Sequence, residues 1–400
     1  MADSQPAVIN FDLKIKKYFN DLKGSKLLPK RLVHENDVGL EFLRKVEKNG
    51  NKVYDDNKVI GVAIIGLGRI GFIHLEKLLS HRNVNILYCV EADKRKANFV
   101  ECRYNLASVR FLTPDEEHVI YEDPNVDAVF VCTPTEMHEK SVIKALEAKK
   151  AVFCEKPLAT CYEGMKKCYS LAKKHNLPIF CAFNRRFDPS FRQIKERVAS
   201  GEIGKIHVIK TCSRDSPLPS MDYIKTSGGI FHDCGVHDID LVCWILNEFP
   251  ISVCTQAHSF IPEIAALNDF DTVSITMKFP SGAIAIIDLS RLAVYGYDQR
   301  LEVFGSNGML CSNGVTPTAV VHHSGTGATN VPICYSFASR YSEAYNLEVE
   351  HFIDCVQNEK ETEIKDYQTL AVKKIATYCE ESARKHTFID IPKHAFEAEL

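Results

Sequence analysis

Val59-Ile60-Gly61-Val62-Ala63-Ile64-Ile65 runs directly into Gly66-Leu67-Gly68-Arg69-Ile70-Gly71, and Ile70, Ile73, His74, Leu75, Leu78 and Leu79 then recur at helical spacing. An apolar strand, a glycine turn and a helix therefore follow one another without a break. In this setting the three glycines do different things. Gly66 permits the tight turn, Gly68 lets the backbone approach a diphosphate, and Gly71 allows the helix to pack closely on the strand. The helix start offers amide donors to the anion, with Arg69 and Ile70 in its first turn. This is the fingerprint of a dinucleotide-binding strand–turn–helix unit.

Outward from that unit, NILYCV, AVFVCT, AVFC and PIFCA are short apolar runs separated by helical stretches such as Ser141–Lys149 and Gly164–Lys174. Such alternation predicts a doubly wound parallel sheet, a Rossmann domain over residues 58–183. The fold also requires an acid at the end of the second strand to meet the adenosine ribose, and Glu91 stands there. A carboxylate in that place favours NAD; Lys94, Arg95 and Lys96 follow it and leave NADP as the alternative. Thr133-Pro134-Thr135 leaves a strand at the carboxyl edge, where the nicotinamide half of such a cofactor is expected, with His138 just beyond.

From residue 184 to about 385 the pattern changes to longer strands, KIHVIKTC, DTVSITMKF, AIAIIDLSRL and QRLEVFG, joined by PSG and SNG turns. They predict a second, α+β domain built on a large open, mostly antiparallel sheet. One face of such a sheet needs cover, which predicts a homodimer or homotetramer formed through it. Residues 386–400 read as a tail. Residues 1–57 read as an extension with one amphipathic helix around Phe11–Leu22 and another over Asp37–Lys48, ending in the turn-rich NGNKVYDDNK.

The chain has 400 residues, enough for two ordinary cores, and 49 Lys+Arg against 52 Asp+Glu give a net charge of −3. No basic block suits a nucleic-acid backbone, and no apolar run suits a membrane span or a secretory signal. The 15 cysteines are scattered, with no CxxC pair, as expected of free thiols in the cytoplasm.

Two further segments stand out: Cys154-Glu155-Lys156-Pro157-Leu158, and Gly228-Gly229-Ile230-Phe231-His232-Asp233-Cys234-Gly235-Val236-His237-Asp238-Ile239-Asp240. With the GRIGxxH opening they resemble the Gfo/Idh/MocA oxidoreductases, from about residue 59 to the mid 380s. Tyr295-Gly296-Tyr297-Asp298-Gln299-Arg300 and Asn184-Arg185-Arg186-Phe187-Asp188 resemble the inositol 2-dehydrogenase branch. The resemblance implies that Lys156, Asp233 and His237 are catalytic, that Glu155 and Lys156 border the cofactor, and that Arg186, Asp215 and Tyr297 join them in holding a polyol. The 57-residue extension departs from the family, whose members begin close to the first strand.

The residues themselves agree with that chemistry. Oxidation of a secondary alcohol needs a base for the hydroxyl proton, and the pKa of histidine suits His237 to that role. If Phe231–Leu246 is one helix, Asp233 shares a face with His237 and orients its imidazole, while Lys156 supports the developing alkoxide. The double glycine before it would let the backbone approach a ligand. His232, Asp233, Cys234 and His237 are all of metal-binding type, but neighbours on a helix diverge, so no metal is expected there. Beside an inositol dehydrogenase, two readings stay open: a dehydrogenase of another sugar or a dihydrodiol, and a non-catalytic NAD-binding regulator.

Overall fold

The computed structural model of the chain describes residues 58–396. The 1–57 extension, with its two expected helices, and the last four residues lie outside the described residues.

The first sheet contains β1 (Ile60–Ile65), β2 (Val84–Val90), β3 (Arg110–Leu112), β4 (Ala128–Val131), β5 (Ala151–Glu155) and β6 (Ile179–Ala182). Its order is β3-β2-β1-β4-β5-β6 and every pairing is parallel. This is the doubly wound arrangement, whose order reverses between β1 and β4 and opens a crevice at their carboxyl ends. All six residues of β1 are buried, as a strand covered on both faces must be. The helix Arg69–Ser80 buries Ile73, His74, Leu75 and Leu78 of the stripe read from the sequence, together with Gly71, whereas Ile70 is half-buried and Leu79 exposed.

The second sheet contains β7 (Ile206–Arg214), β8 (Ser252–His258), β9 (Thr272–Lys278), β10 (Ile284–Ser290), β11 (Asp298–Gly305), β12 (Gly308–Ser312) and β15 (Ile389–Asp390). Their order is β12-β11-β7-β10-β9-β8-β15, and only β7 and β10 pair in parallel. An exposed hairpin of β13 (Val321–Ser324) and β14 (Gly327–Asn330) stands apart. The sequence pattern announces neither β8, β12 nor this hairpin. Burial alternates strictly along β9 and β10, so one face of the sheet meets the core and the other looks outward.

The helix Ser342–Gln357 returns to the first sheet, where Phe352 meets the rings of Phe130 and Phe153 edge-on at centroid distances of 5.4 and 5.6 Å. The segment read as one helix from Phe231 is a π-type turn, Phe231–Gly235, followed by the α-helix Val236–Leu246. That turn re-aims the side chains leading into the helix.

Candidate active site

A cavity of about 660 Å³ opens at the carboxyl edge of the parallel sheet. Gly66, Gly68, Arg69 and Ile70 line one end. Gly66 has φ +92°, and a Cβ on it would sit 2.8 Å from the Cys132 carbonyl oxygen; a Cβ on Gly68 would meet nothing within 4 Å. The turn is thus folded tightly at its first glycine and open at its second. No side chain caps the helix Arg69–Ser80, so its first amides remain for an anion. Gly71 does not border the cavity; a Cβ there would lie 1.9 Å from the Gly66 carbonyl oxygen, so its role is packing.

Glu91 lines the same end, buried, with Oε2 accepting from the Leu67 amide at 2.9 Å and Oε1 from the Asp93 amide at 3.0 Å. Lys96 lies 3.3 Å from Oε1, and Arg95 pairs with Asp93. Those two cations are already engaged with acids. Thr133 and Pro134 also line the cavity, and the Thr133 hydroxyl is buried without a partner. His138, expected to touch the cofactor, engages both ring nitrogens with backbone carbonyls, Nε2 with Thr133 at 2.8 Å and Nδ1 with Pro157 at 2.7 Å. It lines the wall, but as a staple between two loops. Burial lowers its pKa, and the two carbonyl contacts oppose that.

At the other end Lys156, Asp233, His237, Asp215 and Tyr297 converge, as the sequence predicts. Lys156 Nζ donates to the Asp233 carboxylate at 3.0 Å and to its carbonyl at 2.8 Å. Tyr223 donates to the same carboxylate at 2.9 Å and Arg291 at 2.6 Å. Burial works against the Lys156 charge, but Asp233 outweighs it and holds the ammonium above the ordinary lysine range. Burial works against Asp233 too, yet Lys156 and Arg291 hold it well below the usual carboxylate range. The pair therefore stays ionised.

His237 differs from expectation. No hydrogen bond joins it to Asp233, and its Nδ1 is buried without a partner. Asp233 has both oxygens committed to Lys156, Tyr223 and Arg291, because the π-type turn carries it toward them. It positions the lysine, not the imidazole. Burial first, and then the cations Lys156 and Arg185, push the His237 pKa well below its ordinary value, so the ring is neutral and able to take a proton. Asp215 moves the other way: burial raises its pKa.

Arg186 is a second correction. It is buried away from the cavity, donating Nε at 2.8 Å and an Nη at 2.5 Å to Asp240. Its neighbours Asn184 and Arg185 line the cavity instead, and Arg185 pairs with Asp238 at 2.8 Å. The segment is a 3₁₀ turn, so successive side chains diverge, and the sequence alone cannot say which of two arginines faces inward. Gly228 and Gly229 do not line the cavity either. Both take positive φ, and Gly229 lets the chain pass Asp269, whose carboxylate accepts from the Ile230 amide at 3.1 Å. Arg291 has no local signal in the sequence, since its partner Asp233 is 58 residues away.

Comparison with known proteins now decides the family. Residues 60–183 match the profile described as "Oxidoreductase family, NAD-binding Rossmann fold", and residues 191–311 match that of the GFO/IDH/MocA C-terminal domain. The chain belongs to the GFO/IDH/MocA oxidoreductase family. The myo-inositol 2-dehydrogenase of Thermotoga maritima is 41% identical over 298 residues, 74% of this chain and 88% of that one. The inositol 2-dehydrogenase of Rhizobium meliloti is 35% identical over 295 residues, 74% and 88% of the two chains. A scyllo-inositol dehydrogenase from Lactobacillus casei, solved with NAD(H) and scyllo-inositol, superposes with a TM-score of 0.77 at 26% identity, covering 83% of this chain and 99% of that one. The GFO/IDH/MocA chain uses NAD, and its residues fit that group: an open cradle at Gly68, uncapped amides, an unpartnered Thr133 hydroxyl and an acid at the end of β2. No helix among its described residues is long and apolar enough to cross a membrane.

Proposed function

We propose that this enzyme oxidises a ring hydroxyl of an inositol, with Lys156, Asp233 and His237 as its catalytic group. When bound, NAD supplies the hydride acceptor. The chain's own residues do the rest. His237, neutral at rest, takes the hydroxyl proton. Lys156 has three N–H donors, and two hydrogen bonds to Asp233 leave one for the substrate oxygen as it becomes an alkoxide. Asp233, itself fixed by Arg291 and Tyr223, holds that ammonium in place. Asn184, Arg185, Asp215 and Tyr297 offer the remaining hydroxyls both donors and acceptors. A ring with a hydroxyl on every carbon uses such a set fully; an apolar alcohol would leave buried polar groups unpaired.

One observation carries the reading: His237, a base kept neutral by burial and flanking cations, shares a cavity end with a lysine–aspartate pair and further polar groups. The test is reduced-nicotinamide absorbance with a panel of inositols and sugars, using NAD and NADP. Turnover of an inositol with NAD supports the reading. Preference for an open-chain or apolar alcohol, or no turnover of any, refutes it.

The same reading keeps the division near residue 183, places the enzyme in the cytoplasm, and gives the second sheet a copy of itself as cover. Supporting the last, Met309, Phe304, Val208 and Ile284 form a row across β12, β11, β7 and β10 on the outward face, with Met309, Phe304 and Ile284 exposed. Light scattering on the full chain should give a dimer or tetramer; a monomer at micromolar concentration would remove this part.

A further inference from the structure

Behind the lysine end of the cavity lies a cluster that the catalytic scheme does not use. Glu348, on the helix Ser342–Gln357, is wholly buried and neither carboxyl oxygen has a hydrogen-bond partner. Buried polar groups without partners are rare and need an explanation. Its polar neighbours are His74 and Glu155, with one ligating atom of each lying within 4.8 Å of the others. Glu155 Oε1 meets His74 Nε2 at 2.7 Å, a direct hydrogen bond. Aromatic rings close over the imidazole, Phe153 at 4.8 Å and Tyr345 at 5.7 Å between centroids.

Two carboxyls this close, out of water, do not both ionise without a cation, so one of them keeps its proton. The 2.7 Å contact joins His74 and Glu155 to each other rather than opening them toward an ion. Glu348, pushed well up by burial and then by Glu155, is the natural holder. The other groups facing it are the Cys132 thiol and the Tyr345 phenol, both raised well above their ordinary values and so neutral.

Glu155 also borders the cavity, next in sequence to Lys156. Around it Lys156 and Arg291 are paired with Asp233 and Arg185 with Asp238, whereas no lysine or arginine among the described residues pairs with Glu155. The nicotinamide ring of NAD carries a positive charge in its oxidised form and none in its reduced form. It must stand near Lys156 for hydride to reach it, so a carboxylate there that no lysine or arginine side chain neutralises distinguishes the two forms.

We infer that Glu348 holds a proton which leaves to solvent by way of Glu155 when the oxidised cofactor binds, so that the pair compensates the charge of the ring and favours NAD over NADH. Solvent closes the proton balance: one proton leaves through the cavity-facing Glu155 as the cation arrives, and one returns when the neutral ring replaces it. The inference rests on placing the chemistry at the Lys156 end, but it needs no particular substrate, so cofactor binding tests it even if the inositol reading fails.

The experiment is calorimetric titration of the full-length wild type with NAD and with NADH, without polyol, in two buffers of different ionisation enthalpy. About one proton should be released with NAD and little or none with NADH. Glu348→Gln should abolish the difference, and Glu155→Gln should weaken NAD about tenfold relative to NADH. The wild-type comparison stands even if a variant fails to fold. Equal proton counts for the two cofactors, an unchanged difference in folded Glu348→Gln, or a stoichiometric divalent metal in the purified protein, found by mass spectrometry, would each overturn the inference.

Discussion

The glycine turn at Gly66–Gly71, proposed to hold the diphosphate, and the segment Asp233–His237, proposed to be catalytic, lie at opposite ends of one cavity, yet they encode their roles differently. The turn works through backbone: a positive φ at Gly66, open space at Gly68 and a close approach at Gly71. Each is a property of a residue type at a fixed offset, so it depends on nothing distant. The segment Asp233–His237 works through partners brought from Lys156, Tyr223, Arg185 and Arg291. Which residues gather there can be read locally, but what each one touches is set only by the fold.

Breaking the catalytic end should have the largest effect. His237→Ala is expected to lower turnover about 10²- to 10⁴-fold, the usual contribution of a general base, while leaving NAD affinity near the wild type. Steady-state kinetics and cofactor titration check both halves. Arg186→Met should act on stability instead, costing about 3–5 kcal/mol by leaving Asp240 buried and unpaired, with little change in substrate KM. Denaturant unfolding and KM together separate it from Arg185, whose loss should raise KM. Gly71→Ala, which thrusts a Cβ into the Gly66 carbonyl, should cost about 1–3 kcal/mol and weaken cofactor binding. Its effect on turnover at saturating cofactor should be small. The smallest change is expected at Glu91: Glu91→Ala should weaken NAD about tenfold through the lost ribose contact and the freed Leu67 amide, narrowing its preference over NADP. An unchanged KM for NAD would move the ribose contact elsewhere, to Asp93.

This contrast explains what the sequence discloses. The doubly wound sheet, the second sheet and the grouping of Lys156, Asp233, His237, Asp215 and Tyr297 follow from periodicity, glycine offsets and a family resemblance. The choice between Arg185 and Arg186 does not, because a single 3₁₀ turn sends neighbours in different directions. Nor does the role of Asp233, since spacing of four residues implies a shared face only in a regular helix, and a π-type turn intervenes. Arg291 and Glu348 are hidden for a third reason: their contacts come from residues far along the chain.

The most direct test of the central claim, that His237 is a base kept neutral by its surroundings, is the pH dependence of kcat/KM for the wild type and His237→Gln. Only the neutral imidazole accepts the substrate proton, so activity falls as pH drops through the His237 pKa. Burial, Lys156 and Arg185 lower that pKa. The acid limb of the wild type should therefore lie below the ordinary histidine value of about 6.5 and vanish from the residual activity of His237→Gln. A limb at or above that value, or one that persists unchanged when His237 is replaced, would contradict the account.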